Sequence, residues 1–187
     1  TTLDISNTLN KNNDIGKLTD YHDKSIKKHL NNILNLSVIN LERIKKRNYK
    51  IVVDAINSST SKIMPMLLKQ LNCRVTTLNC KGNGQFVRGA EPLPQNLSEL
   101  SNVVLQTNSD LGIATDPDGD RLAIVSDKGI PLGEESTLVI CCDGLLKDQK
   151  INSEIVTNLS TSMAIDKLAS KYNVNVLRTS VGEINVV

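Results

Sequence analysis

Asp116-Pro117-Asp118-Gly119-Asp120-Arg121 stands between two apolar runs, Leu111-Gly112-Ile113-Ala114 and Leu122-Ala123-Ile124-Val125. Short apolar runs bracketing Pro and Gly read as strand, tight loop, strand, which puts three like charges on one loop. Such charges repel one another. A divalent cation with oxygen ligands turns that repulsion into binding, and Mg2+ suits a site with few protein carboxylates and an open side for phosphate. Arg121 adds a planar fork that can hold a phosphate oxygen beside the metal. The pattern predicts a Mg2+ site for phosphoryl chemistry, with Asp116, Asp118 and Asp120 as ligands and Arg121 as the catalytic phosphate contact.

Two other readings compete. An EF-hand loop also opens Asp-x-Asp-x-Asp, but it needs Gly at its sixth position and Glu at its twelfth. Those places hold Arg121 and Asp127, so the EF-hand is excluded. A plain acidic hairpin turn is the other, since Asp-Gly is a common turn pair. A turn alone does not require three aspartates and an arginine between two buried strands.

Along the chain, strands and helices alternate, which indicates an α/β layered architecture. Residues 1–20 are polar and unpatterned and read as a linker or the tail of a preceding domain. Apolar positions at Ile26, Leu30, Ile33, Leu34, Leu41 and Ile44 predict two helices parted near Leu36-Ser37-Val38. Lys24, Lys27, Lys28, Lys45, Lys46 and Arg47 lie largely off that stripe and read as a solvated face. Ile51-Val52-Val53 predicts a buried strand ending in Asp54. Ser58-Ser59-Thr60-Ser61 supply N-cap candidates for a helix over 62–71, with Pro65 in its first turn. Without a Gly-x-x-x-x-Gly-Lys string this is not a P-loop. Further strands are expected over 74–78, 154–158 and 175–177, and helices over 97–106, 135–146 and 162–172. Asp54 reads as a strand-end cap and Arg88 as a surface charge.

The balance of 22 Lys+Arg against 20 Asp+Glu argues against a dedicated nucleic-acid or membrane-surface partner. No apolar stretch is long enough to span a bilayer and no signal-peptide pattern opens the chain. Cys73, Cys80, Cys141 and Cys142 lack metal-type spacing and read as reduced core cysteines of a cytoplasmic protein.

The acidic loop and the apolar run after it resemble the metal-binding loop of the alpha-D-phosphohexomutases, the family of phosphoglucomutase, phosphomannomutase and phosphoglucosamine mutase. Other segments agree in order. Lys50-Ile51-Val52-Val53-Asp54-Ala55 is similar to the strand opening the family's second domain. Arg88-Gly89-Ala90-Glu91-Pro92-Leu93-Pro94-Gln95-Asn96-Leu97 is similar to its Glu-Pro-Leu-Pro-x-Asn-Leu segment, and Arg178-Thr179-Ser180-Val181-Gly182-Glu183 to the substrate loop of its third domain. The resemblance implies a layered mixed-sheet domain II over residues 21–128, carrying the metal loop, and a partial, similar domain III over 129–187. It also implies Mg2+ as cofactor and hexose phosphate and hexose bisphosphate as substrates, with phosphoglucosamine/phosphomannomutase-like members most similar. Thr179, Ser180, Gly182, Glu183 and Asn158 become substrate-binding candidates. Some relatives carry Lys where Asn158 falls and His where Glu183 falls; the two residues read equally as a strand-end polar group and a helix-start carboxylate.

The family's nucleophile, a serine in a Thr-Ala-Ser-His-Asn-Pro-like loop, is not in this sequence, and Ser58-Ser59-Thr60-Ser61 lacks its context. The Gly-Glu-x-x-Gly sugar loop is missing as well. The chain is expected to be the middle of a longer enzyme, partnered by domains I and IV of the same polypeptide and inactive alone. The alternative is a non-catalytic metal-binding or scaffold module derived from that family.

Overall fold

A computed structural model describes residues 21–148 and 154–187; the expected linker over 1–20 lies outside the described residues. Helices α1 (His22–Leu34) and α2 (Leu41–Arg47) come first, parted where the pattern places the break. The six basic residues named above are all exposed. Asn40 caps α2, its side chain accepting the Arg43 N–H at 2.9 Å, and Lys45, Lys46 and Arg47 fill the last turn, where the helix dipole favours cations.

The first sheet contains β1 (Lys50–Asp54), β2 (Arg74–Leu78), β3 (Leu111–Thr115) and β4 (Leu122–Ser126) in the order β2-β1-β3-β4. β1 runs parallel to β2 and β3, while β3 and β4 form the antiparallel hairpin that the two apolar runs predict. Being central, β1 is buried on both faces, which explains its unbroken Ile51-Val52-Val53 run. Alternation sends Ile51 and Val53 to one face with Leu68 and Cys73. Val52 goes to the other, with Leu97, Leu100, Val104, Ala114, Ala123 and Val125. Helix α3 (Thr60–Gln70) supplies Leu68 to the first core, and α4 (Ser98–Gln106) supplies Leu100 and Val104 to the second. Complete burial of each of these aliphatic side chains contributes about 1.5–3 kcal/mol relative to exposure. The parallel register sets Asp54 beside Ala114, so the C-terminal ends of β1 and β3 open at one edge, the usual ligand edge of such sheets.

Three expectations change. α3 begins at Thr60 rather than residue 62, so Pro65 lies inside the helix, where it withholds an N–H from the ladder. Cys73 is buried, but Cys141 is exposed and is not a core residue. The later strands are shifted slightly, to β5 (Ile155–Asn158) and β6 (Val176–Thr179).

In the second unit, α5 (Glu134–Asp148) precedes β5, and α6 (Ala164–Tyr172) crosses from β5 to the parallel strand β6. Ile165, Leu168 and Ala169 bury one face of α6. The two units are joined by packing of α5 and by a hydrogen bond from Thr137 Oγ1 to the Leu122 carbonyl at 2.7 Å. No helix among the described residues is long and apolar enough to cross a membrane.

Gly112 on β3 lies under α4: a Cβ there would stand 2.8 Å from Val104 Cγ2 and 3.0 Å from Leu100 Cδ1. Gly112→Ala is expected to destabilise the fold by about 1–3 kcal/mol through overpacking. A lowered urea midpoint with unchanged m-value is the readout.

Candidate metal centre

The acidic hexapeptide is the tip of the β3–β4 hairpin. Asp116 is 6% exposed, and its Oδ1 accepts the N–H groups of Gly119 at 3.0 Å and Arg121 at 3.1 Å, so one carboxylate organises the loop. Gly119 has φ +84°, and a Cβ there would meet Thr60 Cγ2 at 2.6 Å; the residue must be glycine on both counts. The loop is held from below by the start of α3. Ser58 and Ser59 hydroxyls both donate to the Pro117 carbonyl, and Thr60 and Thr115 hydroxyls share a hydrogen bond at 2.6 Å. The serines are therefore not the N-caps that the sequence suggests: Ser59 occupies the cap position without a side-chain cap bond.

A strained turn delivers them there. Ile56 and Asn57 have φ 46° and 57°, and the Ser58 N–H donates to the Ala55 carbonyl at 2.9 Å. A positive φ is an outlier for a β-branched residue, and a strain of this type costs about 1–3 kcal/mol. Complete burial of Ile56 and the bond from its N–H to Asp54 Oδ1 at 2.9 Å help to hold it.

Asp116, Asp118 and Asp120 converge, each offering a carboxylate oxygen within 4.8 Å of the others. Asp116 is buried, while Asp118 and Asp120 face solvent. Burial pushes the Asp116 carboxyl up, but hydrogen bonds from the Arg121 N–H, the neighbouring carboxyls and the Gly119 N–H more than reverse this, leaving it below its ordinary value. Asp120 is held above its ordinary value by its hydrogen bond with Asp116 and by the charges of Asp116 and Asp118. Three carboxylates this close repel one another, and a hard divalent cation between them would relieve that repulsion. The oxygen-only donor set fits Mg2+.

Arg121 turns its guanidinium to Glu91, with Nη1 2.9 Å from Oε1 and both side chains half-exposed. The hydrogen bond and charge of Glu91, then the charge of Glu134, raise its pKa. Arg121 lines a cleft of about 740 Å³ with Asp120, Glu134, Cys141, Asn158 and Thr161 among the other lining residues.

Of the substrate candidates, Asn158 is on that cleft, yet its Oδ1 accepts from Ser160 N at 3.0 Å, Ser160 Oγ at 2.8 Å and Thr161 Oγ1 at 3.1 Å, building the turn after β5. Thr179 pairs with Asn158 at the end of β6, and its hydroxyl donates to the Thr157 carbonyl at 3.3 Å and the Ser180 carbonyl at 3.2 Å. Gly182 takes φ +127° and leads into a short 3-10 turn that starts at Glu183. Ser180 and Glu183 are exposed, and none of these four residues lines the cleft at Arg121. Arg178 serves the loop before α6: it donates to the carbonyls of Asn158 at 3.2 Å and Thr161 at 2.9 Å and pairs with Asp166, whose carboxyl it holds below the usual range.

Arg88 is not a surface charge. Its side chain is 8% exposed and meets the 2% exposed Asp54 with Nε 2.7 Å from Oδ2, while Nη2 donates to the Thr115 carbonyl at 2.7 Å. One signal was available: a carboxylate ending an otherwise apolar central strand needs a cation. Glu91 and Glu134, the acidic neighbours of Arg121, carried no comparable signal.

Known proteins agree with this architecture. The family described as phosphoglucomutase/phosphomannomutase matches residues 27–129 as its alpha/beta/alpha domain II and residues 133–187 as its alpha/beta/alpha domain III. The chain belongs to the phosphoglucomutase/phosphomannomutase family. A probable phosphoglucosamine mutase of Methanopyrus kandleri is 36% identical over 138 residues, covering 73% of this chain and 30% of the relative. A phosphoglucosamine/phosphogalactosamine mutase of Sulfurisphaera tokodaii is 33% identical over 166 residues, covering 88% of this chain and 36% of the relative. The chain therefore spans about a third of the length of these relatives. The crystal structure of a putative phosphomannomutase from Thermus thermophilus shares the fold, with a TM-score of 0.69, 20% identity, and coverage of 88% of this chain and 37% of that one.

Arg88→Met is expected to strand the Asp54 carboxylate and cost about 3–5 kcal/mol. Equilibrium urea unfolding is the check, and an unchanged midpoint would rule out a structural role for the pair.

Proposed function

We propose that this chain supplies the metal site and part of the sugar-phosphate site of a phosphohexomutase that interconverts hexose 6-phosphate and hexose 1-phosphate. The observation that carries the reading is the convergence of three aspartates on one loop, with Asp120 and the adjoining Arg121 lining an open cleft, in a chain of this family. Glucosamine phosphate is the favoured substrate, because relatives that match the chain include phosphoglucosamine mutases. The phosphoserine that exchanges its phosphoryl group with the sugar belongs to a first domain, and a fourth domain completes the sugar-phosphate site. We place the enzyme in the cytoplasm, in keeping with four unpaired thiols.

Asp116, Asp118 and Asp120 would hold Mg2+, which supplies charge neutralisation at a transferring phosphoryl group. Phosphoryl transfer depends on positioning and electrostatics more than on covalent help. In that division of work, Asp116 anchors the loop through the Gly119 and Arg121 N–H groups. Arg121 offers its planar fork to a phosphate oxygen in the cleft. Asn158, Thr179, Ser180, Gly182 and Glu183 remain assigned to the sugar-phosphate side. Gly182 contributes a backbone path closed to other residues, and Asn158 shapes the wall of the cleft.

Calorimetric titration tests the metal assignment. The chain is expected to bind Mg2+ weakly, and Asp118→Asn to bind it at least ten-fold more weakly on the scale of one lost charged ligand, about 1.4 kcal/mol or more. Undiminished binding in the triple Asp→Asn variant would sink the assignment. The isolated chain is expected to show no mutase turnover.

In the full-length enzyme, Arg121→Ala should leave the metal bound yet slow transfer to glucosamine 6-phosphate. Removing a charge-assisted phosphate contact costs about 2–4 kcal/mol of transition-state stabilisation, roughly thirty- to a thousand-fold in single-turnover rate. A wild-type rate with metal bound would leave Arg121 only a loop-neutralising charge.

A further inference from the structure

The segment between β2 and α4 delivers an acid to the cleft on a fixed backbone. Arg88 anchors one end by its bonds to Asp54 and the Thr115 carbonyl, and its Nη1 also donates to the Gly89 carbonyl at 3.1 Å. Gly89 lies against Asn96 so closely that a Cβ would stand 2.4 Å from Asn96 Nδ2. That same Nδ2 donates to the Glu91 carbonyl at 2.9 Å, and the next residue, Pro92, is fully buried. The main chain on both sides of Glu91 is therefore held, while its carboxylate stands out and meets Arg121 Nη1 at 2.9 Å.

At the other end of that contact, the Arg121 backbone N–H is tied to Asp116 Oδ1 at 3.1 Å. An exposed ion pair between two loose side chains contributes little, chiefly because both must be immobilised. Here both main chains are already fixed by the fold, so what the pair sets is direction. A guanidinium offers five N–H donors in a rigid fork. Glu91 engages Nη1, and among the described residues no other side-chain acceptor is bonded to the fork. The remaining donors are left for a ligand oxygen in the cleft that Arg121 lines.

We propose that Glu91 is the positioning residue for Arg121, orienting its guanidinium toward a phosphate oxygen of the substrate or phosphoserine. The proposal rests on the phosphate-contact role given to Arg121 above. Glu91 acts through Arg121 and is not one of the converging aspartates, so its loss should alter phosphoryl transfer without altering the metal site.

The test is a double-mutant cycle in the full-length enzyme, reading single-turnover transfer, Mg2+ affinity and the urea midpoint for Glu91→Gln, Arg121→Ala and the pair. Glu91→Gln is expected to slow transfer about ten- to a hundred-fold, the upper figure being what a misplacement of about 1 Å can cost. Mg2+ affinity and stability should stay at wild-type values, a pattern that a merely structural role would not give. The double variant should be no slower than Arg121→Ala alone, because residues acting as one unit are not additive. If Arg121→Ala is slow but Glu91→Gln transfers at the wild-type rate, or if the two effects multiply, the positioning role is overturned while that of Arg121 stands. A wild-type rate in Arg121→Ala would remove the role of Arg121 and, with it, that of Glu91.

Discussion

The buried contact between Arg88 and Asp54 ties together three segments that are far apart in the sequence. It joins the end of β1, the end of β3 through the Thr115 carbonyl, and the long connection leading to α4. Burying two charges is expensive unless the geometry is good and the remaining polar atoms are satisfied. Both conditions hold: Asp54 Oδ1 takes the Ile56 N–H, and all three Arg88 nitrogens have acceptors. From this one knot follow the turn that carries Ser58 and Ser59, the root of the acidic loop, and the placing of Glu91.

The acidic loop is built against its own electrostatics. Main-chain N–H groups favour ionisation of Asp116, and the price appears at Asp120, which the neighbouring charges disfavour. The supports beneath are neutral: two serine hydroxyls and a threonine pair hold the loop without adding cations that would satisfy the carboxylates. The nearby arginines point elsewhere, Arg88 to Asp54 and Arg121 to Glu91. The unmet negative charge is left for a ligand.

What the sequence made legible was periodic or local. The hairpin follows from Leu111–Ala114 and Leu122–Val125 around Pro and Gly, and the buried central strand from Ile51-Val52-Val53. The convergence of the aspartates follows from spacing on one short loop. Contacts between distant segments were hidden, because nothing local in Arg88 says that it meets a carboxylate 34 positions away. The serines misled for a related reason: their hydroxyls could cap a helix or bind a carbonyl, and only the tertiary position of Pro117 decides. Resemblance grouped Asn158 with Thr179–Glu183, whereas the fold puts only Asn158 on the cleft at Arg121.

The bond from Thr137 to the Leu122 carbonyl joins the second unit to the residue immediately after Arg121. A rotation of α5 would pull on that carbonyl, on a hairpin stem whose other strand is held by Arg88. One strand of the stem is moored and the other is attached to a lever. Movement of the second unit would therefore change the pitch of the loop tip, tilting the Arg121 fork relative to the aspartates instead of translating the whole tip. A swing of one unit, small at its pivot, would thus be converted into an angle between the Arg121 fork and the three carboxylates.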